Sequence, residues 1–187
     1  MEPRQLFGGA ITATLPAPFL DASDLRQVPD TQEVFLSPDS DLSLIVEVLE
    51  YVTDDGAGDS LEAGARFHFS SLAHDNSASS SDISSIRLPD PASTAAEPPS
   101  VPTQGPAVLV GTQVVSKFNR PASEADTVLI QLALWRVPSK NADVTLCVNF
   151  PTTMGETGEA RDPLEATKVF EEAVRSFKIV DYGLFAG

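Results

Sequence analysis

Apolar residues recur along this chain in two registers, every second position in some stretches and every third or fourth in others, and these registers predict its strands and helices. Gln5 to Leu15 reads as two short extended pieces around Gly8-Gly9, the second rich in small and β-branched residues and stopped by Pro16. Pro16-Ala-Pro18 predicts a stiff turn. Asp21 to Arg26 predicts one or two helical turns capped by Asp21 or Ser23. Pro29-Asp30 is a turn signal. Gln32 to Leu36 alternates like a half-buried strand, with Val34 and Leu36 on one face and Glu33 and Phe35 on the other. Ser43 to Val52 is read as a helix, because Leu44, Ile45, Val48, Leu49 and Val52 recur at spacings of three and four. Ser60 resembles an N-cap, and a second helix is expected from Leu61 to about His74, with Ala65, Phe69 and Leu72 near one face.

Asn76 to Pro106 is rich in Ser and Pro and is expected to be a flexible insertion, with a short strand at Ile83–Leu88. Three strands follow at Ala107–Phe118, Asp126–Val137 and Asp143–Phe150, the last stopped by Pro151. Their joints are short, which requires antiparallel neighbours. On the middle strand Val128, Ile130, Leu132 and Leu134 face one way and Leu129, Gln131, Ala133 and Trp135 the other. Both faces are largely apolar, so helices should cover both sides of the sheet. A final helix is capped by Asp162, starts at Pro163 and buries Ala166, Phe170, Ala173, Val174 and Phe177, with Lys178 closing it. The class is α+β, in a single domain.

Charge narrows the range of partners. The 187 residues carry 27 acids and 12 bases, a net charge of −15. Twelve of the acids lie between Asp21 and Glu62, where Arg26 is the one base. That field repels nucleic acid and an anionic membrane and suits a basic protein partner. No apolar run approaches the roughly 20 residues that span a bilayer, and the N-terminus has neither signal-peptide nor transit-peptide character. One cysteine, Cys147, allows no internal disulfide and fits a reducing compartment. A protein of the nucleus and cytoplasm is expected.

The residues offer little covalent chemistry. His68, within Arg66-Phe-His-Phe69, reads as a structural histidine, and His74 as an exposed one at a helix end. Cys147 reads as a small core residue. Gly8-Gly9 lacks the further glycines and the Lys-Ser/Thr of a phosphate loop. Asp54-Asp-Gly56 with Asp59 lacks the ligand spacing and closing Glu of a calcium loop. The expectation is therefore no catalytic residue, no metal and no cofactor.

Other stretches carry a resemblance. Leu6-Phe-Gly-Gly-Ala-Ile11 and Pro16-Ala-Pro-Phe-Leu-Asp-Ala-Ser-Asp-Leu-Arg-Gln-Val-Pro-Asp-Thr-Gln-Glu-Val34 resemble the MOG-type Ran guanine nucleotide release factors. Ser43–Glu50, Phe67-His-Phe69, Lys117-Phe-Asn119, Val128–Val137 and Phe177–Asp181 continue the resemblance over nearly the whole chain, apart from Asn76–Pro106. It implies a mostly antiparallel sheet of about six strands flanked by helices, as in the photosystem II protein PsbP. It also implies binding to Ran, release of its guanine nucleotide, and support of nuclear protein import. The family's Pro-Asp-Thr-Gln-Glu motif puts Asp30 and Glu33 at the Ran contact, with Gln32 between them. Read from the residues themselves, Arg26 is expected to orient the acids or pair with one of them, and Phe35 to be either an exposed apolar anchor or simply core. The expected state is a monomer bound to Ran, with room for a further Ran-binding protein. Two competing readings are a Ran adaptor without exchange activity and a PsbP-like accessory protein of a photosynthetic complex.

Overall fold

A computed structural model describes residues 1–90, 101–116 and 122–185. In chain order these form β1 (Glu2–Leu6), β2 (Ile11–Leu15), β3 (Leu20–Asp21), β4 (Gln32–Leu36), β5 (Ser43–Glu50), α1 (Leu61–Asp75), β6 (Ser80–Arg87), β7 (Gln104–Val115), β8 (Asp126–Val137), β9 (Ala142–Thr153), α2 (Leu164–Ser176) and β10 (Lys178–Ile179). Seven strands make one antiparallel sheet in the order β3-β4-β5-β9-β8-β7-β6, and β1-β2-β10 make a smaller one. The expected strand Ile83–Leu88 is β6, the outer edge of the large sheet. The Lys117–Asn119 end of the strand expected from Ala107 lies outside the described residues.

The centre of the large sheet is buried on both faces because β8 and β9 carry apolar side chains on both. Toward α2 and the small sheet point Ala133, Trp135, Val144, Leu146 and Val148, which form the larger core with Leu6, Ile11, Phe35 and Phe170. Trp135 stacks on Phe177 with ring centroids 3.9 Å apart. Toward α1 point Ile130, Leu132, Leu134 and Cys147, against Ala65 and Phe69. Ser60 Oγ caps α1 by accepting the Ala63 N–H at 3.0 Å, as its sequence predicts. At the start of α2, Asp162 Oδ1 accepts the Leu164 N–H at 3.0 Å.

One element differs in kind. Ser43–Glu50, expected as a helix, is strand β5, paired with β4 on one side and β9 on the other. Its apolar residues fill both alternating sets: Leu44, Val46 and Val48 pack in the larger core, while Ile45, Glu47 and Leu49 lie on the opposite face. A strand apolar on both faces satisfies the three-and-four spacing too, and the β-branched Ile45, Val46 and Val48 decide for the strand. A smaller difference is that β9 continues through Pro151 to Thr153, where the register with β8 shifts between Thr127 and Val128. Such an irregularity is where a strand accommodates a proline.

Candidate functional site

The alternation of β4 decides where the expected contact residues point. Asp30 is exposed on the turn that closes when the Gln32 N–H donates to the Pro29 carbonyl at 2.9 Å. Arg26 is also exposed and forms no hydrogen bond or ion pair with Asp30 or Glu33. Phe35 is not an exposed anchor: it is 2% exposed and packs in the larger core. Its strand is covered on that face by the small sheet, which the local pattern could not reveal.

Glu33 shares the face of Phe35 and is half-buried. Its Oε1 accepts the Phe7 N–H at 2.6 Å. Phe7 has φ of +50° and is followed by Gly8 and Gly9 at +65° and +95°. A run of left-handed backbone is costly for a residue with a side chain, and a charge-assisted bond to its N–H helps hold it. The Phe7-Gly-Gly turn and the Pro29–Glu33 segment are therefore one structural unit, with Glu33 as its brace.

Gln32 faces the other way. Its amide donates to Glu47 Oε1 at 2.7 Å, directly across the β4–β5 pair. The Val48 N–H donates to the Thr31 carbonyl at 2.9 Å, so Asp30 and exposed Glu50 come to the same end of the strand pair. Glu47 was expected on a helix. Its register as a strand residue, once read, puts a carboxylate beside the Asp30 turn. The half-exposed Ile45 and Leu49 flank it, and the four side chains border a cavity of about 160 Å³ between α1 and the uncovered half of the sheet, with Asp75 on the helix side.

His68 and Cys147 reach the same cavity but make no nucleophile and base. Burial, with a smaller effect of the Glu47 charge, pushes the Cys147 thiol up to about 12, so no thiolate forms near neutral pH. His68 Nε2 is bound to Asp143 Oδ2 at 2.8 Å and is a satisfied structural histidine. Asp143 in turn accepts Arg136 Nε at 2.8 Å and the Val52 N–H at 3.2 Å. The Arg136 guanidinium also donates to the Val52 and Ala57 carbonyls, and it lies 3.8 Å from the Tyr51 ring centroid. Both charges are fully buried. Burial pushes the Asp143 carboxyl up, but the bonds from His68, Arg136 and Val52, with the Arg136 charge, outweigh it and hold the group below its usual range. This network ties the Tyr51–Ala57 loop, which leaves β5 directly after Glu50, to the sheet. The sequence signal was present in two charged residues bracketing the tight joint between two apolar strands.

The site is thus an open, acidic strand end and cavity on a rigid sheet. Its chemistry is recognition: carboxylates held by firm backbone attract basic groups and speed encounter. Fold and site together define a small α+β protein-binding module.

The comparisons assign it to a family. Residues 4–151 match the family described as Ran-interacting Mog1 protein, and the chain belongs to that family. It is 33% identical over 187 residues to the Ran guanine nucleotide release factor of Danio rerio, covering 97% of this chain and 98% of the relative. The human protein of the same name is 35% identical over 193 residues, covering 99% and 98%. The crystal structure of the Saccharomyces cerevisiae Ran-binding protein Mog1p superposes with a TM-score of 0.73 at 29% identity, covering 98% of this chain and 97% of that one. The expected α+β fold stands, with the large sheet at seven strands rather than about six.

Proposed function

We propose that this protein binds the small GTPase Ran, promotes release of its guanine nucleotide and supports nuclear protein import, without covalent chemistry of its own. Chain-long similarity to proteins named Ran guanine nucleotide release factors carries the reading. The two yeast relatives named nuclear import proteins extend it to transport and to work in the nucleus and cytoplasm. Exposed Asp30 and Glu50, with Glu47 held beside Gln32, supply a negative surface for basic groups of the GTPase. Gln32 sets the Glu47 carboxylate, Glu33 braces the turn from behind, and Arg26 lies at the edge of the contact. The protein acts as a monomer, and a further Ran-binding protein joins it on Ran in a ternary complex.

Release follows by linkage: a partner that binds empty Ran more tightly than loaded Ran must weaken nucleotide binding by the same factor. The test is loss of fluorescent GDP from loaded Ran with the wild type and with Asp30→Asn and Glu47→Gln variants of unchanged melting temperature. A charge-assisted contact is worth about 1.5–3 kcal/mol, so each variant should slow stimulated release by about tenfold or more. Unchanged release in both would refute the site. Binding without any acceleration by the wild type would favour the adaptor reading.

A further inference from the structure

On the face of the large sheet opposite the Glu47 cavity, α2 covers the strands only as far as β8. One row of cross-strand partners marks the boundary. Ser85, Val110, Gln131 and Val148 lie side by side on β6, β7, β8 and β9. Val148 is fully buried in the larger core. Val110 is half-buried and Ser85 exposed. Gln131 stands between them, 4% exposed. Its Oε1 is buried without a hydrogen-bond partner, and its amide nitrogen makes no hydrogen bond among the described residues.

A groove of about 360 Å³ opens above it. Val108, Val110 and Leu129 form the floor and Phe170 of α2 one wall, with Arg87 of β6 on one rim and Glu171 of α2 on the other. Arg87 and Glu171 are exposed, and neither has an ion-pair partner among the described residues. Buried amides left unpaired are rare, because the desolvation cost is not recovered. The Gln131 amide nitrogen makes no hydrogen bond and, unlike Oε1, is not fully buried, so it is the group that can donate to a peptide carbonyl in the groove. The polar groups are spread over two open rims beside an edge strand, rather than converging in a closed pocket as a small molecule needs.

We infer that this groove binds an extended peptide segment of a partner protein. The carbonyl of one of its peptide groups accepts from the Gln131 NH₂, and an apolar side chain rests on Val110 and Leu129. An acidic residue reaches Arg87 and a basic one reaches Glu171. The site lies on the other face of the sheet from the proposed Ran contact, so both can be occupied together.

The test is a titration of the ¹⁵N-labelled full chain with the blocked tetrapeptide acetyl-Asp-Leu-Ala-Lys-amide, followed by NMR, with N-acetyl-leucinamide as the uncharged short control. The Gln131 side-chain NH₂ and the Val110 and Leu129 amides should shift and saturate near about 1 mM tetrapeptide. Gln131→Leu, an apolar replacement of similar size whose fold is checked by its own spectrum, should weaken binding by about tenfold and leave Ran nucleotide release unchanged. No shift of these groups, or undiminished binding by Gln131→Leu, would overturn the inference. Equal binding by N-acetyl-leucinamide would overturn it too, in favour of a small-amide pocket.

Discussion

Replacing Asp143 with Ala should be among the most damaging single changes, and the structure sets its size. The carboxylate accepts two bonds from Arg136, at 2.8 and 3.1 Å, one from His68 at 2.8 Å and one from the Val52 N–H at 3.2 Å. Both Arg136 and Asp143 are 0% exposed. Asp143→Ala leaves a buried guanidinium facing two carbonyls and the Tyr51 ring, with no countercharge. Breaking a buried pair in this way costs about 3–5 kcal/mol, against a total of about 5–15 kcal/mol for a domain. Urea unfolding should show the midpoint falling accordingly with an unchanged slope. The double variant Arg136→Met/Asp143→Leu should be less damaged than the single one, because no charge is stranded. The pH dependence has a definite sign. The folded-state pKa of Asp143 lies below its unfolded value of about 3.9, so its contribution is fully present above that value and is lost as pH falls through the folded one. The gap between wild type and Asp143→Asn should therefore narrow below about pH 4. A loss under about 1 kcal/mol for Asp143→Ala at neutral pH would refute the claim that this pair anchors the Tyr51–Ala57 loop.

Three further changes test other parts of the account. Glu33→Ala strands the Phe7 N–H and should cost about 1–3 kcal/mol, whereas Glu33→Gln keeps an acceptor and should cost less; equal losses by urea unfolding would show that charge alone matters. Gly64→Ala would place a Cβ 2.9 Å from an Arg136 nitrogen that its own bonds hold in place, so it should destabilise despite the helix-propensity gain of about 1 kcal/mol, and a raised melting temperature would contradict that. Gln131→Leu removes an unpaired buried amide and should raise stability by about 1–2 kcal/mol in thermal unfolding; a fall would mean that the amide is satisfied in solution.

The fold was largely legible where local signals agree. Ser60 with the run to Asp75, and the doubly apolar Asp126–Val137, carry cap, period and joint length together. Ser43–Glu50 failed because a strand buried on both faces has no clean period of two. The same lack of a clean period conceals Glu47, whose place beside Gln32 exists only through strand pairing. Phe35 was misplaced for a related reason: the small sheet that covers it joins β1 and β2 to β10, at the far end of the chain. Glu33 was visible as a motif residue, but its bond to Phe7, 26 residues away, is tertiary information.

The central proposal is a preference for Ran without nucleotide. Affinity of this protein for Ran emptied, GDP-loaded and GTP-loaded, measured by calorimetry at one salt concentration, tests it directly. Binding should be tightest to empty Ran, by the same factor by which this protein weakens Ran's hold on nucleotide. Equal affinity for all three states, or no binding to Ran, would contradict it.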